Sequence, residues 1–259
     1  MGPDGWTICI ANQKGGVGKT TTAINLATSL ALNEKKTLLI DFDPQGNASS
    51  GIGQSEDGSF NIYHAIVLDH EMRSIIKPTE VPGLHIVNSH IDLSGAEIEL
   101  VGLSEREFRL KRSLLQIRQL YDYIIVDCPP SLGLLTINAL VAADSVLIPL
   151  QCEYYALEGL SKLLNTVKLI KARLNPNLML EGILLTMYDK RNNLSHQVVQ
   201  QIMEHFPTKV FKTIIPRTIR LAECPSHGKP IYFYDRNSIG SQSYLELAQQ
   251  VIQKERTVL

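Results

Sequence analysis

Nine consecutive residues, Gln13-Lys14-Gly15-Gly16-Val17-Gly18-Lys19-Thr20-Thr21, put three glycines, two lysines and two hydroxyls into one short loop. Glycines let the backbone curl until successive N–H groups point inward, which is what a phosphate oxygen requires. A helix starting at the end of such a loop adds the positive end of its dipole. Lys19 supplies a point charge to the β- and γ-phosphates of a nucleotide, and the Thr20 hydroxyl can ligate Mg²⁺. The pattern therefore points to nucleotide-phosphate chemistry, with Gly15, Gly16, Val17, Gly18, Lys19, Thr20 and Thr21 as the cradle. The plain alternative is an ordinary glycine-rich turn, but Gly-Lys-Thr at a strand-to-helix junction argues against it. One departure stands out. The usual spacing G-x-x-x-x-G-K-[ST] begins with glycine where this chain has Gln13, and a second lysine, Lys14, follows. Read as a buried cation beside Lys19, Lys14 needs an anion or must point away. A nucleotide phosphate serves, in the same subunit or in a facing one.

Three carboxylates fit the same chemistry. Leu38-Leu39-Ile40-Asp41-Phe42-Asp43-Pro44-Gln45-Gly46-Asn47 ends an apolar run with two acids, and Ile124-Ile125-Val126-Asp127-Cys128-Pro129-Pro130 ends another with one. If both runs are strands of one open α/β sheet, the acids lie at its carboxyl edge, where ligands bind. Asp127 suits a Mg²⁺ role through water. Asp43 suits orientation or deprotonation of an attacking water, and stands as a further metal candidate. A lone strand-end Asp is more often a cap or turn residue; the neighbouring phosphate loop shifts the balance.

These groups converge only if the chain alternates strands and helices. Thr7–Ala11, Thr37–Phe42, Leu84–Asn88, Tyr123–Asp127, Ser145–Leu150 and Gly182–Met187 read as buried strands, several apolar at consecutive positions as in strands covered on both faces. Helical patterns fit Thr20–Leu32, a long stretch within Gly95–Leu120, Leu132–Ala143, Leu157–Leu174, Ser195–His205 and Ser238–Lys254. The expected fold is α/β, a doubly wound and mostly parallel sheet flanked by helices. Gln54–Pro82 is the least patterned segment and is expected to carry irregular structure or short helices. With 259 residues, 44% hydrophobic and 20% charged, a sizeable core is available and general disorder is excluded. No repeat or Gly/Ser/Pro linker divides the chain, so 1–259 is expected to form a single domain. Cys9, Cys128 and Cys152 lie in or beside apolar runs and Cys224 pairs with none of them in a CxxC spacing; all this suits a reducing cytoplasm. No signal-peptide pattern opens the chain and no run of some 18 apolar residues occurs, so neither secretion nor membrane spanning is expected.

Together the motifs resemble a known family. Lys14-Gly-Gly-Val-Gly-Lys-Thr-Thr, Asp41-Phe-Asp-Pro-Gln-Gly-Asn and Val126-Asp-Cys-Pro-Pro-Ser resemble the deviant Walker A, A′ and B motifs of the ParA/MinD ATPases, a branch of the P-loop NTPases. Pro149-Leu-Gln-Cys-Glu-Tyr-Tyr-Ala-Leu-Glu-Gly and Ala222-Glu-Cys-Pro-Ser-His-Gly-Lys-Pro-Ile resemble the chromosomal ParA, or Soj, branch. The likeness runs from about Ile8 to Val251. It implies ATP and Mg²⁺ as ligands, and an ATP-sandwich homodimer in which Lys14 reaches the phosphates of the opposite subunit. It also implies non-specific binding of double-stranded DNA by that dimer, and hydrolysis stimulated by a ParB-type centromere-binding protein. By the same resemblance the acid matching Asp43 is needed for hydrolysis, Pro216 and Thr218 in Ile215-Pro216-Arg217-Thr218 lie near the adenine, and the protein acts in the cytoplasm on the nucleoid.

Net charge is only −1, but it is unevenly spread: residues 160–259 hold fourteen Lys and Arg against seven Asp and Glu. Non-specific DNA binding requires only phosphate neutralisation, so a diffuse basic face suffices. Lys190-Arg191 follows a strand, and Lys209, Lys212, Arg217 and Arg220 gather near another strand end. Family positions matching Arg191 and Arg220 contact DNA, and Arg217 is the next candidate. Two other classes share the phosphate loop. A MinD-like membrane-positioning ATPase ends in a basic amphipathic helix; Leu247-Ala-Gln-Gln-Val-Ile-Gln-Lys-Glu-Arg-Thr-Val-Leu has one Lys, one Arg and no Phe or Trp, and reads as a core-packing helix. A nitrogenase-reductase-like carrier needs two cluster-bridging cysteines per chain, and Cys128 and Cys152 lack that context.

Overall fold

The computed structural model describes residues 5–55, 58–153 and 156–258, with side chains to residue 254. Seven strands form one sheet: β1 (Trp6–Ile10), β2 (Thr37–Asp41), β3 (Ile76–Pro78), β4 (Leu84–Val87), β5 (Tyr123–Asp127), β6 (Ser145–Gln151) and β7 (Met179–Thr186). The order is β3-β4-β2-β5-β1-β6-β7, parallel throughout except for the short antiparallel edge strand β3. The helices are α1 (Lys19–Leu32), α2 (Asn47–Gly51), α3 (Ile62–Val67), α4 (Leu93–Val101), α5 (Arg109–Leu114), α6 (Leu134–Ala142), α7 (Ala156–Arg173), α8 (Asn193–His205), α9 (Ile219–Glu223), α10 (Ile231–Tyr234) and α11 (Ile239–Val258).

Strand period 2 divides the core. Ile8, Ile10, Leu39, Ile125 and Leu184 point to one face, which α1, α2 and α9–α11 cover. Cys9, Ala11, Leu38, Ile40 and Val126 point to the other, which α3–α8 cover. Because both faces are buried, consecutive strand residues are apolar, and each fully buried Leu or Ile is worth about 2 kcal/mol. Helix α1 is buried over most of its surface because α11 lies against it, pinned where the Tyr244 and Thr22 hydroxyls meet at 3.2 Å.

Six of the seven strands fall where the apolar runs place them. Two expectations need correction. The single long helix anticipated within Gly95–Leu120 is α4 and α5, followed by a 3-10 turn at Arg118–Leu120; the chain breaks at Glu105, whose φ of 52° is left-handed and incompatible with a helix. The segment Gln54–Pro82, of which residues 56 and 57 lie outside those described, does carry short helices, and also the unforeseen edge strand β3.

Candidate functional site

Strand β1 delivers the chain to the phosphate loop, and α1 leaves it. Gly18 caps α1 with φ 87°, and Gly16 has φ 72°. A Cβ at Gly16 would meet nothing within 4 Å, so backbone conformation, not crowding, requires glycine there. The α1 N-terminus has no side-chain cap and no acid in its first turn. Its first N–H groups are left for an external acceptor, and the helix dipole favours an anion. The loop is tied down from two sides: the Thr186 hydroxyl at the end of β7 donates to the Val17 carbonyl at 2.9 Å, and Asn12 donates to Pro149 O at 2.7 Å while accepting from the Lys14 amide at 3.0 Å.

The two lysines part company. Lys19 is buried and its Nζ donates to the Lys14 carbonyl at 2.9 Å. Burial pulls its pKa down, while Asp127 and Asp43 act against that. Lys14 is not buried, contrary to the expectation above. Its side chain is half exposed and ion-pairs with Glu153 beyond β6, which supplies the anion.

Of the three acids, Asp127 and Asp43 lie close enough to act on the Lys19 charge. Asp41 and Asp127 are register neighbours on β2 and β5. Asp41 is fully committed: it accepts from the Ser49 amide and hydroxyl at 2.7 Å each and from the Asp43 amide at 3.3 Å. Burial pushes its carboxyl up to about 6. Asp43 is buried and accepts from the Gln45 amide at 3.0 Å. Asp127 differs from both. It is wholly buried, and neither carboxylate oxygen reaches a hydrogen-bond partner at normal geometry. Burial, then the Asp41 charge, hold its pKa well above the carboxylate range, with Thr20 and Lys19 opposing. A buried carboxylate without partners is costly unless a cation completes it. The hard-oxygen donor set of Asp127 and Thr20 therefore fits Mg²⁺.

Beside the loop opens a pocket of about 580 Å³, running from Gly18 and Thr21 along Met187 and Pro216 to Thr218, with Tyr244 in its lining. Its outer wall is built by hydrogen bonds that extend β7: Tyr188 N to Ile215 O at 3.1 Å and Arg217 N to Tyr188 O at 3.0 Å. Met187 is held at φ 50°, a strained conformation of the kind found at ligand sites. Pro216 and Thr218 are both on this wall, and Thr218 also caps α9. So are Arg191 and Arg217. Arg191 grips Asp189 with both arms of its guanidinium, at 3.0 and 2.8 Å. Arg220 lies on α9, 3.5 Å from both Glu223 and Asp235. Sequence reasoning missed Asn12, Glu153, Thr186 and Ser49. Only Asn12, a polar residue at the end of an apolar strand, carried a signal.

A glycine cradle between a strand and a helix of a parallel sheet, with an unpartnered carboxylate ending the next strand, defines a P-loop nucleoside triphosphatase. The comparisons narrow the class. A family described as AAA domain matches residues 5–180. The chain is similar to chromosome partitioning protein ParA of Myxococcus xanthus, 56% identical over 98% of this chain and 92% of that protein. It is also similar to sporulation initiation inhibitor protein Soj of Bacillus subtilis, 58% identical over 95% of this chain and 98% of that one. A solved structure of cobyrinic acid a,c-diamide synthase from Mycobacterium smegmatis, with bound ATP analogue and magnesium, superposes with a TM-score of 0.87 at 33% identity, covering 98% and 97% of the two chains. The chain belongs to the ParA/Soj family of chromosome-partitioning ATPases.

Proposed function

We propose that residues 1–259 act as one ATPase domain that partitions DNA: with ATP bound it forms a sandwich homodimer, the dimer holds double-stranded DNA without sequence preference, and hydrolysis stimulated by a ParB-type partner releases it. The observation that carries the nucleotide half is the orphaned Asp127 carboxylate at the mouth of an uncapped helix N-terminus. In this reading the Gly15–Gly18 backbone and Thr21 cradle the phosphates, and Lys19 leaves the Lys14 carbonyl for the β- and γ-oxygens. Thr20 and Asp127, with Asp43 beside them, hold Mg²⁺, which when bound neutralises charge on the phosphate oxygens. Asp43, whose amide is fixed by Asp41, orients the attacking water. Pro216 and Thr218 face the base. Lys14 is spare in the single chain except for Glu153, so it can exchange that partner for a phosphate of the facing subunit.

DNA binding rests on Arg191, Arg217 and Arg220, each exposed and outside the cradle. The first two share a wall with the base pocket, so occupancy of one site shapes the other. The membrane alternative draws less support. Helix α11 sets Tyr244, Leu247, Ala248 and Val251 into the core, and among the described residues no helix is long and apolar enough to cross a membrane. In this reading the protein acts in the cytoplasm, on the nucleoid. The test is DNA binding and molecular size measured without nucleotide, with ADP and with ATP. Dimers and DNA binding should appear together, and only with ATP; DNA binding indifferent to nucleotide would defeat the reading.

A further inference from the structure

The loop that carries Asp43 leaves β2 at Asp41 and re-enters regular structure at α2. One side chain, Ser49, closes it. Helix α2 begins after Gly46, which offers no side-chain cap. The Asp41 carboxylate fills that role from the end of β2: its Oδ2 accepts the Ser49 amide and the Ser49 hydroxyl, each at 2.7 Å. Its Oδ1 accepts the Asp43 amide at 3.3 Å, and the Asp43 carbonyl accepts the Gly46 amide at 3.0 Å. Ser49 is 8% exposed and uses both sides of its hydroxyl. Its one proton goes to Asp41, while its oxygen accepts the Ser89 amide, 3.2 Å away and just beyond β4. The end of β2, the start of α2 and the chain leaving β4 therefore meet at one oxygen. The far side of α2 is fixed as well, since Ala48 and Ile52 are buried in one core cluster with Ile24 of α1.

The hydrogen bonds of Asp43, through its amide, carbonyl and carboxylate, run to Asp41, Gly46 and Gln45, all within the loop. Its aim therefore depends on how firmly the two ends of the loop are held. We infer that Ser49 is a positioning residue for ATP hydrolysis: its hydroxyl locks Asp41, and through Asp41 the loop that points Asp43 at the attacking water. This rests on the role given to Asp43 above. Ser49 lines no part of the pocket beside the phosphate loop, so ATP affinity does not depend on it. Deleting the hydroxyl leaves the Ser49 amide on Asp41, so the loop persists, but it loses its tie to β4 and strands the Ser89 amide without its acceptor. Misplacing a catalytic group by about 1 Å costs on the order of a hundredfold in rate. With one of the two Ser49 bonds to Asp41 still made, a smaller loss follows.

The test is single-turnover hydrolysis of pre-bound ATP by the full chain, with the ATP Kd measured by equilibrium titration on the same preparations. Ser49→Ala should slow hydrolysis about tenfold and leave the Kd within about twofold of wild type. Ser49→Thr, which keeps the hydroxyl, should stay within about threefold of the wild-type rate. In the Asp43→Ala background, Ser49→Ala should cost no more than about twofold further, because a residue acting through Asp43 has nothing left to aim. A purely structural role would instead give the same loss in both backgrounds. If Ser49→Ala fails to fold, Ser49→Cys, of similar shape but a weak donor, takes its place. A wild-type rate in Ser49→Ala, a loss that recurs in full on Asp43→Ala, or a fall in ATP affinity that matches the fall in rate overturns the inference. Asp43→Ala hydrolysing at the wild-type rate is a separate result: it defeats the role of Asp43 itself, and the inference with it.

Discussion

The phosphate loop and the basic face beyond β7 obtain their geometry in different ways. At the loop, backbone does the positioning. Left-handed Gly16 and Gly18, an uncapped helix start and the Thr186 anchor leave Lys19 buried with one place to go. At the face, long side chains settle on whatever anion is nearby. The Arg191 side chain is 86% exposed and holds an Asp two residues away; Arg220 divides itself between Glu223 and Asp235. Exposed pairs of this kind contribute little stability and exchange easily for another anion. A rigid cradle discriminates one ligand, whereas a loose basic face takes any phosphate backbone. Perturbation should therefore be severe and local at the loop, and graded and salt-sensitive at the face.

The largest effect expected is at Lys19. Lys19→Ala removes the cation aimed into the cradle from within, and should weaken ATP binding at least about a hundredfold by equilibrium titration. Retained affinity would mean that the backbone alone suffices. Next is Asp43→Ala, which on the proposed role removes water positioning and leaves the phosphate cradle intact. Hydrolysis should fall about a hundredfold or more while ATP binding stays within a few-fold of wild type. Wild-type turnover would assign the water elsewhere, and not to Asp41, whose oxygens Ser49 and Asp43 already occupy.

At the face the effects shrink and acquire a salt dependence. Arg191→Glu and Arg220→Glu should each weaken binding to unrelated duplexes about tenfold, with ATP binding unchanged. Arg191→Ala and Arg220→Ala should flatten the slope of log K against log salt by about 0.9 for each phosphate that is no longer neutralised. An ATP dimer that ignores both reversals would move the DNA surface to Lys209 and Lys212, or remove DNA from the cycle.

The smallest effect sharpens the contrast through pH. Burial raises the Asp41 carboxyl from 3.8 to about 6, so the folded chain holds that proton more tightly than the unfolded one. Its contribution to stability is complete below the unfolded value and is lost as pH rises through about 6. In nucleotide-free protein, the thermal midpoint of wild type should fall relative to that of Asp41→Asn across this window. Parallel curves would show that Asp41 stays ionised.

The same contrast governs what the sequence reveals. The cradle is legible because its three glycines, Lys19 and Thr20 are contiguous, and β1, β2 and β5 because each is a continuous apolar run. What escapes is supplied from far along the chain. Thr186 meets Val17 across 169 positions and Glu153 meets Lys14 across 139, and no local pattern announces either meeting. Strand β3 escapes for another reason: three residues ending in proline are too few to show a period. The break between α4 and α5 depends on a left-handed Glu105, a conformation that residue type alone does not dictate. The role proposed for the wall of the pocket beside the loop is legible only through resemblance, since Pro216 and Thr218 carry no chemistry that singles them out.

The central claim is that Lys14 works across an interface while Lys19 works within its own chain. Sedimentation velocity of wild type and Lys14→Ala at saturating ATP, with bound nucleotide quantified in the same samples, tests it directly. The account predicts dimers for wild type and ATP-loaded monomers for Lys14→Ala. A Lys14→Ala protein that dimerises like wild type, or one that no longer binds ATP, would contradict it.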